Sequence, residues 1–292
     1  MATQTLAPVY EKRSELTALN RLIVAYDFSD AANRALEDAM MLAHRFQAEI
    51  LIAHAVPAAA GTQQARRRQL HSRDARTELA MLRWKMAEGE LRCREIVHTG
   101  DVARVLVNVA EDEDADLLLM GAYGSGSEKR KELGSTAEKL LRALHCPIVM
   151  YGPAAVSPAF RDDSPGVLVP IEFLTNHGSL MLAMNASRLL NARVDILHVV
   201  DVRHSPTVPE AAMDAQYNCE LVAAYMRREG LKVSQTLLFG KPDTQIVEQS
   251  RERRSSLILL PLGSREHLTS DHVASSVIRN AAVPVMTCRI DG

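Results

Sequence analysis

The sequence predicts an α/β protein made of two tandem open five-stranded parallel sheets, each flanked by helices. Three observations carry this expectation. Apolar strand-like runs alternate with helical segments, the whole pattern occurs twice, and the landmarks keep the same spacing in both copies. A chain of 292 residues with 47% hydrophobic composition is long enough for two domains that each bury a core.

Taken in order, RLIVAYDFSDAANRAL from Arg21 reads as a buried strand and then a helix, and GVLVPIEFLTNHGSLML from Gly166 matches it. The second strands, AEILIAHAV and RVDILHVV, end near His54 to Val56 and His198 to Val200. A glycine closes each third strand, Gly100 and Gly240, and twenty residues later stand Met120 and Leu260 in the fourth strands ADLLLM and SLILL. Each half ends on a strand that opens with proline, PIVMYG from Pro147 and PVMTCR from Pro284. Between strands, Leu36, Ala39, Met40 and Ala43 keep helical spacing, as do Val105, Leu106, Val109 and Ala110. Continuous apolar strands such as LIVAY and DLLLM suit a parallel sheet covered on both faces and joined by right-handed crossovers. Five strands and four helices are expected per half. The proline-containing, charged stretch from about Pro153 to Pro165 reads as the linker, which places the domains at 1–153 and 166–292. An open sheet leaves a closing strand such as PIVMYG or PVMTCR at an edge, where its unpaired backbone groups invite pairing with another strand.

Composition narrows the function classes. A formal net charge of −2 and a pI near 6.6 offer no basic excess for neutralising phosphate backbones, so nucleic acid is not the expected partner. The N-terminal MATQTLAPVYEKRSELTALN has no apolar core of leader length and no later run reaches membrane-spanning length, so a soluble cytoplasmic protein is expected. Cys93, Cys146, Cys219 and Cys288 form no C-x-x-C pair, which argues against a disulfide framework or a cysteine zinc site and for small buried apolar residues. Arg66, Arg67 and Arg68 read as a solvated helix face.

The chemistry-bearing segment follows the fourth strand of the first half. In GAYGSGSEKRKELGSTAEKLL, Gly121 and Gly124 precede Gly134, and Ser135 and Thr136 open a helix. Glycines let backbone approach an anion, and a helix N-terminus offers unpaired N–H groups and the positive end of a dipole. In an open parallel sheet, ligands sit at the carboxyl ends of the strands, which is where this loop falls. Taken singly, Gly121 and Gly124 could make only a turn, and Ser135 only a cap. Asp27 could cap the first helix, as could Ser29 or Asp30. Lys129, Arg130 and Lys131 fit both triphosphate screening and plain loop solubility.

At Gly121, Gly124, Gly134 and Ser135 the chain resembles the ATP-binding members of the universal stress protein family, and Asp27 matches that family's acidic residue at the nucleotide crevice. The resemblance runs from Arg21 to Gly152 and, more weakly, from Gly166 to Arg289. It implies a Rossmann-like fold of the adenine nucleotide alpha hydrolase kind and, since members commonly dimerise through the last strand, that PIVMYG and PVMTCR lie side by side across a pseudo-two-fold axis. It also implies that Ala25, Tyr26 and Asp27 line the base and ribose side, that Ala55 packs on adenine, and that Met120 and Gly121 support the ribose and α-phosphate. Gly124, Gly134, Ser135 and Thr136 would hold the phosphates, with Mg²⁺ bridging phosphate oxygens. Tyr26 departs from the small residue expected at its position.

In the second half Pro261 stands where Gly121 does, Glu172 replaces Asp27, and Asp271 falls opposite Gly134, where a carboxylate would repel phosphate. Nucleotide is therefore expected in the first half only. The histidines His267 and His272, beside Glu266 and Asp271, read as surface residues, and His54 and His198 as packing or local hydrogen bonding. The expected function is a stress-response or signalling regulator that binds ATP, with an unidentified protein partner, an intramolecular pseudo-dimer and further homodimerisation left open. The alternatives are a nucleotide-stabilised scaffold without hydrolysis, or a slow ATPase. There is no P-loop, no G-x-G-x-x-G after the first strand and no nucleophile elbow.

Overall fold

The computed structural model describes residues 16–57, 62–124, 133–144, 146–156, 158–174, 177–201, 208–263 and 273–290. The first half runs β1 (Arg21–Ala25), α1 (Asp30–Phe46), β2 (Glu49–Pro57), α2 (Thr62–Glu88), β3 (Arg92–Gly100), α3 (Val102–Asp112), β4 (Leu117–Gly121), α4 (Ser135–Ala143) and β5 (Ile148–Tyr151). The second repeats it as β6 (Gly166–Pro170), α5 (His177–Leu189), β7 (Arg193–Val200), α6 (Val208–Arg228), β8 (Lys232–Phe239), α7 (Pro242–Glu252), β9 (Leu257–Gly263), α8 (Val273–Asn280) and β10 (Val285–Ile290). A 3₁₀ turn at Ile171–Phe173 follows β6.

The two five-stranded units join into one sheet of order β3-β2-β1-β4-β5-β10-β9-β6-β7-β8. Every neighbouring pair is parallel except β5 with β10, which run antiparallel with Val149 opposite Met286, flanked by Met150–Val285 and Ile148–Thr287. The expected pairing of the two closing strands is therefore present, and a pseudo-two-fold axis passes through the Val149–Met286 pair. Both residues are buried.

Each strand residue faces one of two cores, because side chains alternate across a pleated strand. Leu22 and Val24 join the core under α1, α2, α5 and α6, whereas Ile23 joins the core under α3, α4, α7 and α8. Both cores run across the junction between halves. Continuous apolar runs are what such a sheet demands, and β1 and β4 supply them. Helix α1 shows the complementary pattern: Ala32, Ala35, Leu36, Ala39, Leu42 and Ala43 are buried on one side. It begins at Ser29, whose side chain accepts from the Ala32 N–H, and ends at Gln47 in left-handed conformation.

The linker between halves is packed rather than loose. Ala155 and Phe160 are buried, the Val156 N–H donates to the Ala282 carbonyl, and Arg45 donates to the carbonyls of Asp163 and Leu190. Cys146, Cys219 and Cys288 are buried as expected, while Cys93 is half-buried and its thiol is pushed up to about 12, chiefly by burial. Among the described residues no helix is long and apolar enough to cross a membrane. Arg66, Arg67 and Arg68 fall within α2, whose side chains there lie outside the described residues.

Candidate functional site

The candidate site lies at the carboxyl ends of β1 and β4, where the chain leaves the sheet in opposite directions. Ala25 ends β1 between Ala53 of β2 and Met120 of β4, and Ala55 sits half-buried near the end of β2 opposite His98. Met120 is buried, so its side chain belongs to the core beneath the site. Gly121 ends β4, and a methyl group there would sit 2.9 Å from the Ala31 methyl group of α1. The glycine thus lets β4 approach the first turn of α1.

The chain then turns through Ala122 and Tyr123. The Ala122 N–H donates to the Tyr151 carbonyl, and the Gly134 N–H donates to the Ala122 carbonyl, which returns the chain to the start of α4. A Cβ at Gly134 would stand 3.0 Å from that carbonyl oxygen. Gly134 is the N-cap of α4 and supplies no side-chain capping bond, while Ser135 is exposed and Thr136 half-buried. Gly124 brings its backbone beside Asp27, since a Cβ on it would lie 3.8 Å from Asp27 Oδ2. Asp27, Gly121, Gly124 and Gly134 therefore lie close together at the strand ends, beside the N-terminus of α4. Lys129, Arg130 and Lys131 lie outside the described residues.

The turn that presents Asp27 is held by a part that sequence reasoning did not anticipate. Phe28 adopts a left-handed φ of 64°, rare for an aromatic residue. Its ring is set edge-on against those of Tyr26 and His54, each 5.1 Å away between centroids. His54 Nδ1 lies 2.7 Å from the Tyr26 carbonyl oxygen, and the Tyr26 hydroxyl donates to Asn33 Oδ1. The Tyr26 N–H donates to Ala53, so its backbone and hydroxyl groups all have partners within the protein, and its side chain is buried. Burial, and then the nearby charges of Glu78 and Asp27, push its phenol up. Asp27 itself is exposed and accepts from the Ser29 N–H, leaving Ser29 to cap α1. The one signal for this bracing in the sequence was the repeat of His54 as His198.

Strand register fixes the equivalent positions in the second half. Gly121 pairs with Tyr151 and Pro261 with Cys288, so Pro261 stands in the place of Gly121, as counted from the sequence. There β9 does not turn away: it continues to Gly263, paired with β10 as far as Ile290. Glu172, the counterpart of Asp27, turns back onto its own sheet, where Oε1 accepts from the Val199 N–H at 2.8 Å and lies 3.6 Å from His198 Nδ1. Val199 is the register equivalent of Ala55. Burial raises the Glu172 carboxyl above its ordinary value, opposed by the Val199 N–H and by His198. Glu266, His267, Asp271 and His272 lie outside the described residues. Among the described residues no group of three or more His, Cys, Asp or Glu is placed to hold a metal ion.

Fold and strand order together define a duplicated, doubly wound α/β protein with three glycines gathered beside Asp27 at the strand ends of its first half. The chain belongs to the universal stress protein family, whose family model matches residues 19–152 and 167–289, making it a tandem member with two such domains. It is 28% identical over 210 residues to Universal stress protein Rv2623 of Mycobacterium tuberculosis, covering 66% of this chain and 68% of that one. Universal stress protein YxiE of Bacillus subtilis is 26% identical over 144 residues, covering 45% of this chain and 97% of that one. A solved universal stress protein structure from Archaeoglobus fulgidus superposes with a TM-score of 0.70 at 17% identity, covering 95% of this chain and 97% of that one, which establishes the likeness of fold.

Proposed function

We propose that this universal stress protein is an ATP-binding stress-response or signalling regulator with one nucleotide site, in its first half. The second half acts as a built-in pseudo-dimer partner and offers surface to a protein partner. One contrast carries the reading: Asp27 is exposed beside Gly124, whereas its counterpart Glu172 is bonded to the Val199 N–H, over the position equivalent to Ala55. The carboxylate of the first half stays at the surface beside the glycines, and that of the second half is turned back onto its own sheet.

The residues at the strand ends of the first half suit a nucleotide. Gly134 leaves the N-terminus of α4 without a side-chain cap, and Ser135 and Thr136 add hydroxyl donors for phosphates. Ala25 and Ala55 offer small surfaces to a base, with Met120, Gly121 and Gly124 giving close backbone approach. Tyr26 would shape the base side from beneath, because its polar groups are already engaged. Asp27 is placed for ribose hydroxyls. Mg²⁺ would ride on phosphate oxygens and water, as a hard cation needing few protein ligands.

Calorimetry with Mg²⁺ and ATP tests this, and one nucleotide per chain is expected. Gly134→Asp should abolish binding, because it sets a carboxylate on the positive end of α4. Aspartate is a favoured N-cap, but its Cβ would press on the Ala122 carbonyl oxygen, so Gly134→Ala, which adds the same Cβ without the charge, separates crowding from repulsion and should bind ATP more tightly than Gly134→Asp. Two nucleotides per chain, or unchanged affinity in the variant, would overturn the assignment. Mass spectrometry of ligand released from the purified protein identifies the nucleotide, and phosphate release separates a slow ATPase from a sensor or scaffold that holds it intact.

A further inference from the structure

Among the described residues eight large hydrophobic side chains are exposed, and four of them share one helix: Met213 (73%), Tyr217 (69%), Leu221 (57%) and Tyr225 (39%) on α6. Their spacing of four residues aligns them in one i±4n ridge. Ala215, Cys219, Ala223 and Met226, which pack toward β7 and β8, occupy the opposite side of the helix. The fold does not require this stripe. The Leu91 N–H bonds to the Met86 carbonyl and the Leu231 N–H to the Met226 carbonyl, which sets Arg73, Thr77 and Lys85 of α2 at the places of Met213, Tyr217 and Tyr225, while Met81, exposed like its counterpart Leu221, keeps an apolar side chain.

We propose that this outward face of α6 is where two copies of the chain pair, α6 against α6 and antiparallel. The inference is independent of the nucleotide reading. The ridge is self-complementary about Cys219: Tyr217 meets Leu221 of the second copy, and Met213 meets Tyr225 of the second copy. Two i±4n ridges interdigitate at a crossing of about −50°. Charge favours the same arrangement. Asp214 lies toward the start of the face and Arg227 and Arg228 end it, so antiparallel packing brings acidic end to basic end and opposes the helix dipoles. Asp214 then lies one turn along from Arg228 of the second copy, within reach of its long side chain. At about 200 Å² per large side chain, the four exposed residues present on the order of 500 Å². With the flanking polar residues this approaches the roughly 800 Å² per partner of a specific interface.

Sedimentation equilibrium on the full chain tests the pairing. The wild-type chain should dimerise, and Tyr217→Glu or Leu221→Glu should raise the dimer dissociation constant by at least about 30-fold with an unchanged far-ultraviolet spectrum. Trp84→Glu, on the other exposed apolar site of this sheet face, should leave the dimer intact. Asp214→Arg should weaken the dimer, and adding Arg228→Asp should restore it. A monomeric wild-type chain, a dimer insensitive to Tyr217→Glu, a dimer dispersed by Trp84→Glu, or a double reversal that rescues nothing would each overturn the proposal.

Discussion

Asp38 is a carboxylate with no exposure to solvent, and its oxygens tie together three distant parts of the chain. It accepts from the Tyr151 hydroxyl at 2.7 Å and from the Ala159 N–H at 2.7 Å, so α1, the end of β5 and the linker meet on one side chain. Burial raises its pKa to about 6 from an ordinary 3.8, against the pull of these hydrogen bonds. The folded state therefore holds the proton more tightly than the unfolded chain. The resulting stability is fully present below about pH 3.8 and is lost as pH rises through about 6. The difference is worth at most about 3 kcal/mol. Asp38→Asn should flatten the pH dependence of the urea midpoint between those values, and an undiminished slope would place the titration elsewhere. The sequence does not mark Asp38 for this role, because its partners stand 113 and 121 residues away. The nearness of Asp27, Gly121, Gly124 and Gly134 was legible, since a short motif at a strand end carries its own geometry. Phe28 was not, because its conformation depends on two rings from different elements.

At the scale of elements, the linker shows how close packing replaces flexibility. A Cβ at Gly152 would overlap the carbonyl oxygen of Ile278 in α8, a backbone atom that cannot swing aside. Gly152→Ala should therefore cost at least about 2 kcal/mol, read as a lowered urea midpoint with unchanged slope. Loss of less than a few tenths would mean that α8 shifts freely. The strands and helices themselves were readable from apolar runs and helical spacing. The tight seat of the linker was not, because prolines and charges mark a break in regular structure without saying what the break packs against.

At the scale of the whole molecule, the ten strands and two shared cores make the halves mutually dependent. Val149 stands at the pseudo-axis, buried and opposite Met286. Val149→Asp would place an unpaired charge there, costing about 4 kcal/mol or more. Limited proteolysis should then cut near Phe160, which is buried in the wild-type protein and should resist. Equal cutting of both proteins would show that the junction contributes little to holding the linker in place.

The sequence by itself determined the repeat, the order of elements and the glycine spacing, because each is written in residues near one another along the chain. The pairing of the closing strands was implied by the family resemblance, because an open edge invites a partner but does not choose which edge takes one. Tertiary structure alone decided that β9 runs on past Pro261 to Gly263, that Glu172 folds onto Val199 while Asp27 faces outward, and that the linker is clasped by Asp38. Those outcomes depend on which groups meet across the sheet and how far each is buried, and contacts between distant residues set both.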